Sequence, residues 1–296
     1  MVKIYNDCIS CILKGTLDAA RLSSDDESLH RRVLNATMER LISADYHEPP
    51  PVIAGNTQRL IREMTGDPDP YKRVKKQYND FALEIYPELE KMVQECGRPF
   101  ERAVNIAIAG NIIDFGAYPD IGGEEILRTI EKAVSSGVNG SLSWFESAVE
   151  KASRILWLGD NTGEVVLDKL LLGQMDRSKV VYAVRGAPIL NDATIEDAVY
   201  TGLADTVKVI DNGADVPGTI VEKCSERFRE EYERADLIIS KGQGNYETLP
   251  HDDERIVFLF KVKCHVVARE SGRPEGESAA LSHGVVRSRI GSVPVR

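Results

Sequence analysis

The sequence contains no run of about 18 consecutive apolar residues, which is the length that a membrane-spanning helix requires. Its first segment, Met1 to Asp7, shows no charged stretch followed by an apolar one, so a signal peptide is not expected. Cysteine is scarce, and its odd count of 5 among 296 residues does not fit a secreted disulfide framework. We therefore expect a cytoplasmic protein with no membrane partner.

Several common catalytic motifs are also missing. No P-loop, no Gly-x-Ser-x-Gly elbow and no Gly-x-Gly-x-x-Gly fingerprint occurs, and the histidines are scattered without metal-ligand spacing. Basic residues are fewer than acidic ones, 37 against 47, and the formal net charge is -10. A surface of that sign repels phosphate backbones, so a nucleic-acid partner is disfavoured. A small phosphorylated metabolite stays compatible, because the local potential of a cleft can oppose the overall sign.

The first hundred residues have the periodicity of helices, and we assign residues 1–100 to a helical N-terminal domain. Cys8 to Leu22 places apolar side chains close to every 3.6 residues. The three prolines at 49–51 predict a break, because proline does not continue a helix, and a further helix is predicted from Asn56 to Met64.

From Arg154 onward, short apolar segments alternate with helical segments. The predicted strands are 154–158, 179–184, 207–210, 236–240 and 255–260. Repeated strand–helix–strand units predict an α/β fold with a mostly parallel sheet and helices on its faces. We assign residues 101–270 to this domain and expect an irregular tail over 271–296, which is rich in Gly, Ser and Arg.

Polar residues follow three of the predicted strands at the point where each strand ends. The segments are Gly159–Glu164, Arg185–Thr194 and Lys241–Glu247. Right-handed crossovers bring the carboxyl ends of parallel strands to one edge, where ligands bind. Carboxylate and amide oxygens suit Mg²⁺ or Mn²⁺, and helix N-termini and glycine backbones suit phosphate. The candidate residues are Asp160, Asn161, Glu164, Arg185, Asp192, Lys241, Gly242 and Asn245.

Each candidate also has a purely structural interpretation. Asp160, Asn161 and Asp192 could cap the helices that follow them, and Arg185 could simply pair with a carboxylate. Asn111 and Asp114, after another short apolar run, could line the cleft or shape a turn. The pair Cys8 and Cys11 stands alone on an amphipathic helix, for which a structural role is favoured over zinc or redox chemistry.

These three segments and Gly110–Gly116 together resemble the damage-control phosphatases, a family first known as a domain of unknown function. They are Gly110–Gly116, Gly159–Glu164, Arg185–Thr194 and Lys241–Glu247. The Cys-x-x-Cys start resembles the microbial branch of that family. The resemblance implies a helical region packed on a three-layer α/β/α domain. It also implies a divalent cation held by Asp160, Asn161 and Asp192, with substrate phosphate contacted by Lys241 and Asn245.

Three hypotheses follow. The first is a phosphomonoesterase for small metabolites, such as sugar phosphates or damaged phosphometabolites, with Mn, Mg, Ni or Co as the ion. In it, Arg185 assists, and either a water molecule or a carboxylate such as Asp160 attacks phosphorus. The second is an S-adenosylmethionine-dependent methyltransferase, although the second strand ends in Arg185 rather than in an acid for a ribose. The third is a non-catalytic metal- or metabolite-binding module. The sequence carries no signal for the oligomeric state.

Overall fold

The computed structural model of the chain describes residues 1–110, 123–138 and 141–282. The helices in this part are α1 (Asn6–Ser23), α2 (Glu27–Ile42), α3 (Pro50–Thr65), α4 (Lys72–Gln94), α5 (Pro99–Ala109), α6 (Gly123–Ser136), α7 (Ser143–Lys151), α8 (Glu164–Leu172), α9 (Ile195–Tyr200), α10 (Glu226–Arg234), α11 (Gln243–Thr248) and α12 (His265–Ser271). The strands are β1 (Ile155–Leu158), β2 (Val180–Val184), β3 (Lys208–Asp211), β4 (Leu237–Lys241), β5 (Ile256–Lys261) and β6 (Ser278–Ser282). None of these helices combines the length and the apolar character that crossing a membrane demands.

The strands form one sheet in the order β3-β2-β1-β4-β5-β6. The first five strands are parallel, and β6 runs antiparallel to β5. The prediction of an α/β fold with a mostly parallel sheet is therefore confirmed. The order reverses between β1 and β4, which are neighbours in the sheet, and such a reversal opens a crevice beyond the strand ends.

The sheet is buried on both faces, because its strands alternate their side chains between two apolar clusters. Ile155 and Trp157 of β1 pack with α4 to α8 on one face. Leu156 and Leu158 pack with α10 to α12 on the other. A period of two along a strand puts successive side chains on opposite faces. Helices thus cover both faces, which completes the expected three layers.

Helix α3 packs at the carboxyl edge of the sheet. Helix α3 begins at Pro50, six residues before its predicted start, because proline is tolerated in the first turn of a helix, where its missing N–H has no partner. Arg59 and Arg62 of α3 both pair with Asp215, in the segment after β3. Arg62 also donates to the carbonyl oxygen of Pro188 at 2.9 Å. These contacts attach α3 to the loops that follow β2 and β3.

The expectation of an irregular tail from residue 271 is wrong for part of that segment. Residues Ser278–Ser282 form β6, and Ala279 and Leu281 are buried against the sheet. The antiparallel pairing with β5 supplies backbone hydrogen bonds that composition does not reveal. The predicted irregularity of residues 283–296 falls outside the described part of the chain.

Candidate active site

A cavity of about 530 Å³ lies between the helical region and the carboxyl edge of the sheet. Helices α1 and α3 form one wall, and the segments after the five parallel strands β1 to β5 form the other. Leu190 on the second wall has φ 48°, a left-handed conformation that costs a branched side chain about 1–2 kcal/mol. Cavities of this size suit small metabolites.

Asp160, Asn161 and Asp192, the three predicted oxygen ligands, all line this cavity. Asn161 and Asp192 pair as an isolated antiparallel bridge, and the Ala193 N–H donates to the Asp160 carbonyl oxygen at 2.8 Å. The loops after β1 and β2 are therefore fixed against each other. The structure thus brings the adjacent pair Asp160 and Asn161 and the distant Asp192 to one surface, and their role as metal ligands stays a prediction.

The loop after β1 is also fastened by the helical region. Asn79 of α4 accepts a hydrogen bond from the Gly163 N–H at 2.8 Å and donates to Asp197 at 3.1 Å. Lys75, one turn earlier on α4, pairs with the same Asp197 at 2.9 Å. Gly163 has φ 74°, and a Cβ there would lie 3.0 Å from the Tyr78 carbonyl oxygen. Only glycine combines that φ with so close an approach of α4.

Arg185 lies behind the cavity wall, between the two aspartates. Its Nε donates to Asp192 Oδ2 at 2.6 Å, and one terminal nitrogen lies 3.5 Å from Asp160 Oδ1. The other terminal nitrogen donates to the Gly218 carbonyl oxygen at 2.8 Å and to Asn245 Oδ1 at 3.2 Å. The side chain is buried, so both ion pairs are shielded from water. Asp160, Asp192 and Glu164 form an acidic cluster. Arg185 orients its two aspartates and offsets part of its charge.

The cluster carries more negative charge than Arg185 alone offsets. Burial raises the pKa of Asp160 well above its ordinary value, and the charges of Asp192 and Glu164 add to the effect. Burial also raises the pKa of Asp192, although Arg185 opposes the shift. A bound cation would relieve this repulsion.

The donor set fits a hard divalent cation. Among the described residues, no group of three or more His, Cys, Asp and Glu side chains is arranged to hold a metal ion, so a cation here would also use the amide oxygen of Asn161. Asp192 uses Oδ2 for Arg185 and makes no other side-chain hydrogen bond within the described part of the chain. Its Oδ1 is thus available to a cation.

Lys241 lies beneath the cavity wall and is fully buried. Its Nζ donates to Glu164 Oε1 and Asp168 Oδ1, each at 2.6 Å, and to the Ala107 carbonyl oxygen at 3.0 Å. Burial opposes its charge, but Asp168 and Glu164 outweigh that effect and raise the pKa of Lys241. An ammonium has three donors, and all three are used within the protein. The predicted contact between Lys241 and a substrate phosphate would require it to leave these partners.

The other predicted substrate contacts are buried as well. Asn245 donates to the carbonyl oxygens of Lys241 at 2.7 Å and Gly159 at 3.2 Å, so it ties the segments after β1 and β4 together. Glu164 is also buried, and its Oε2 accepts a hydrogen bond from Asn161 at 3.3 Å. Gly242 has φ 80° and lies directly against Asp160. Asn111 and Asp114 lie outside the described residues.

Other cavity residues were not singled out as candidates in the sequence. They are Gln58 on α3, Gln243 and Glu247 on α11, and Lys263 after β5. Cys8 and Cys11 of α1, for which the sequence favours a structural role, line the cavity as well. No local pattern identifies Gln58, because it reaches the cavity through the packing of α3 on a sheet edge far away in sequence.

Comparison of the sequence with known proteins identifies a family. The model of the "Damage-control phosphatase ARMT1-like domain" matches residues 4–279. An uncharacterized protein of Methanocaldococcus jannaschii is 35% identical over 297 residues, with 95% of each chain covered. A protein of Pyrococcus horikoshii named as a damage-control phosphatase is 33% identical over 283 residues, covering 93% of this chain and 96% of that one.

A solved structure agrees with the fold. The crystal structure of a protein of Pyrococcus horikoshii, described as a DUF89 family protein, superposes with a TM-score of 0.86 at 30% identity. The match covers 95% of this chain and 99% of the other. Because the family model spans nearly the whole chain and includes every segment of the cavity's sheet-side wall, the chain belongs to the damage-control phosphatase ARMT1-like domain family.

Proposed function

We propose that the chain is a divalent-metal-dependent phosphatase that hydrolyses phosphate monoesters of small metabolites. The observation that carries the proposal is the convergence of Asp160, Asn161 and Asp192 on one wall of a metabolite-sized cavity. The family assignment adds to it, since a relative covering nearly the whole chain is named as a phosphatase. Sugar phosphates and damaged phosphometabolites are the proposed substrates.

The side chains of this site would have different roles. Asp160, Asn161 and Asp192 would hold the cation, and Mg²⁺, Mn²⁺, Co²⁺ and Ni²⁺ all suit their oxygens. The ion, when bound, supplies a positive charge that polarises the phosphoryl group and offsets charge in the transition state. Arg185 keeps the two aspartates in place through its bonds to both of them. Lys241 keeps Glu164 oriented beneath Asn161.

A nucleotide-cofactor enzyme, such as a methyltransferase, is less well supported. Such an enzyme needs an acidic side chain at the end of the second strand to bind ribose hydroxyls. In this chain β2 is followed by Arg185, and its guanidinium is committed to Asp192 and Asp160. No observation of the cavity favours a nucleotide.

The experiment compares Asp192→Asn with Asp7→Asn. Both aspartates line the cavity, but Asp7 lies on α1 and is exposed, where it pairs with His265. The variants and the wild type are assayed on an aryl phosphate and a panel of phosphate esters, each with several divalent ions. We expect Asp192→Asn to lower kcat/KM at least about 100-fold and to weaken ion binding in calorimetry, because it removes one ligand charge. Asp7→Asn should retain both properties.

Two results would contradict the proposal. One is an Asp192→Asn protein that hydrolyses the esters as fast as the wild type does. The other is a wild-type activity that survives complete removal of divalent ions by a chelator. A wild type that shows no hydrolysis with any ester or ion would favour a binding module instead.

A further inference from the structure

Gln58 is a buried residue whose amide is open to the cavity, and the site described above does not use it. Gln58 is 4% exposed and lines the cavity from the helical side. Its side chain makes no hydrogen bond to any residue in the described ranges, whereas the neighbouring Thr57 hydroxyl donates to the Ala54 carbonyl oxygen at 2.8 Å. Neither amide atom is among the described buried atoms that lack a partner, so both are reached from the cavity, and their partner is to be found there.

The position of Gln58 on α3 places it in the same cavity as Asp160, Asn161 and Asp192. Pro51, Ala54 and Gln58 occupy one face of the helix and all line the cavity. Arg62 follows one turn later on that face and donates to the carbonyl oxygen of Pro188. Residues four apart on a helix are about 5–6 Å from each other, so Gln58 lies one turn from an arginine whose side chain reaches the loop after β2. It therefore lines the cavity in which the proposed phosphate ester reacts.

The chemistry of an amide limits what it binds there. A primary amide offers donors on nitrogen and an acceptor on oxygen. A phosphate monoester group at neutral pH mainly accepts hydrogen bonds, so it would leave the Gln58 oxygen unpaired in a buried setting. A hydroxyl group both donates and accepts, so hydroxyls on the organic part of the substrate satisfy both ends of the amide.

We propose that Gln58 is a specificity-determining residue that binds a hydroxyl group on the alcohol portion of the phosphate ester. The inference rests on the proposed phosphatase function and extends it, because it assigns selection of the alcohol to α3 rather than to the strand tips. A site built to bind a hydroxyl discriminates strongly against the analogue that lacks it, since its own polar atoms are then left unpaired.

The test uses Gln58→Met, with Thr57→Val as the matched control. Methionine is an unbranched helix former of similar size, and Thr57 lines the same cavity with its hydroxyl already paired. For each protein, kcat/KM is measured on a polyhydroxylated phosphate ester, on its deoxy analogues and on an aryl phosphate without hydroxyl groups. Calorimetry on the same samples gives the dissociation constants of the hydroxylated ester and its deoxy analogues.

We expect Gln58→Met to lower kcat/KM on the hydroxylated ester by about 10- to 100-fold and to leave the aryl phosphate within about twofold. The preference for one hydroxylated ester over its deoxy analogue should disappear in both kinetics and binding. Thr57→Val should keep that preference. Without substrate, Gln58→Met should unfold at the same temperature as the wild type or a higher one, because it removes an unpaired amide. A residue with only a structural role would not give this combination.

Equal losses on all esters, or no loss on any, would overturn the inference, as would an unchanged binding preference in Gln58→Met. Failure of the phosphatase proposal is distinguishable, because then the wild type hydrolyses none of the esters. In that case the binding preference of the wild type and of Gln58→Met still decides the role of Gln58.

Discussion

Replacing Gly242 with alanine would put a methyl group where the carboxylate of Asp160 lies. An ideal Cβ at this position is 1.9 Å from Asp160 Oδ2 and 2.2 Å from its Cγ. The carboxylate would have to retreat by about 1.5 Å to reach an ordinary contact distance of 3.4 Å. It cannot do so without disturbing Asn161, whose amide donates to Oδ2 at 2.8 Å. Gly242→Ala therefore displaces one proposed metal ligand without changing its chemistry.

Two costs are expected from Gly242→Ala. The backbone at Gly242 has φ 80° and ψ 162°, a region that is nearly exclusive to glycine and costs other residues about 1–3 kcal/mol. A displacement of about 1 Å in a catalytic constellation lowers the rate about 100-fold. We expect both effects, and the activity loss should persist when rates are corrected for the folded fraction.

Gly66→Ala is the control for the conformational cost. Gly66 ends α3 with φ 73°, and a Cβ there meets nothing within 4 Å. This variant should lose about 1 kcal/mol of stability and no activity. The measurements are urea denaturation, kcat/KM on an aryl phosphate and calorimetric ion affinity. A folded Gly242→Ala protein with wild-type activity and ion affinity would refute the argument, and so would an equal activity loss in Gly66→Ala.

Two further predictions concern buried charges near the cavity. Lys241→Met should lower the free energy of unfolding by about 3–5 kcal/mol, because it leaves Glu164 and Asp168 buried without their cation; a loss below about 1 kcal/mol in urea denaturation would contradict this. Glu247 has its pKa raised to about 7 by burial, so the folded state favours its protonated form and stability falls as pH rises from about 4.5 to about 7. Glu247→Gln should reduce this pH-dependent decrease in the free energy of unfolding by up to about 3 kcal/mol. The prediction is contradicted if the free energy of unfolding differs between pH 5 and pH 8 by as much in the variant as in the wild type.

Periodicity predicted the features of the chain that depend on local pattern. The parallel strands were located because fully buried strands are continuous apolar segments, as in Ile155–Leu158. The meeting of Asp160 with Asp192 was predictable because the connection rules place all strand ends on one edge. The antiparallel strand Ser278–Ser282 was missed because Gly, Ser and Arg near it suggested irregular structure, and the strand depends on pairing with β5.

Local pattern does not determine which way a polar side chain points. Lys241 is the last residue of β4 and precedes a glycine-rich segment, which suggested a phosphate contact, yet its ammonium points under the sheet edge toward Asp168. Asp168 lies on α8, and no rule of sequence spacing connects α8 with the end of β4. Gln58 is the opposite case: it lines the cavity, yet nothing in the amphipathic pattern of its helix predicts that.

The two walls of the cavity come from separate stretches of the chain. Strand ends supply the acidic cluster, whereas α1 and α3 supply the opposite surface. Exchanges on α3 could therefore retune which molecules are accepted while leaving the reactive groups intact. Homologues with the same loops after β1 and β2 but different N-terminal helices would then catalyse the same reaction on different metabolites.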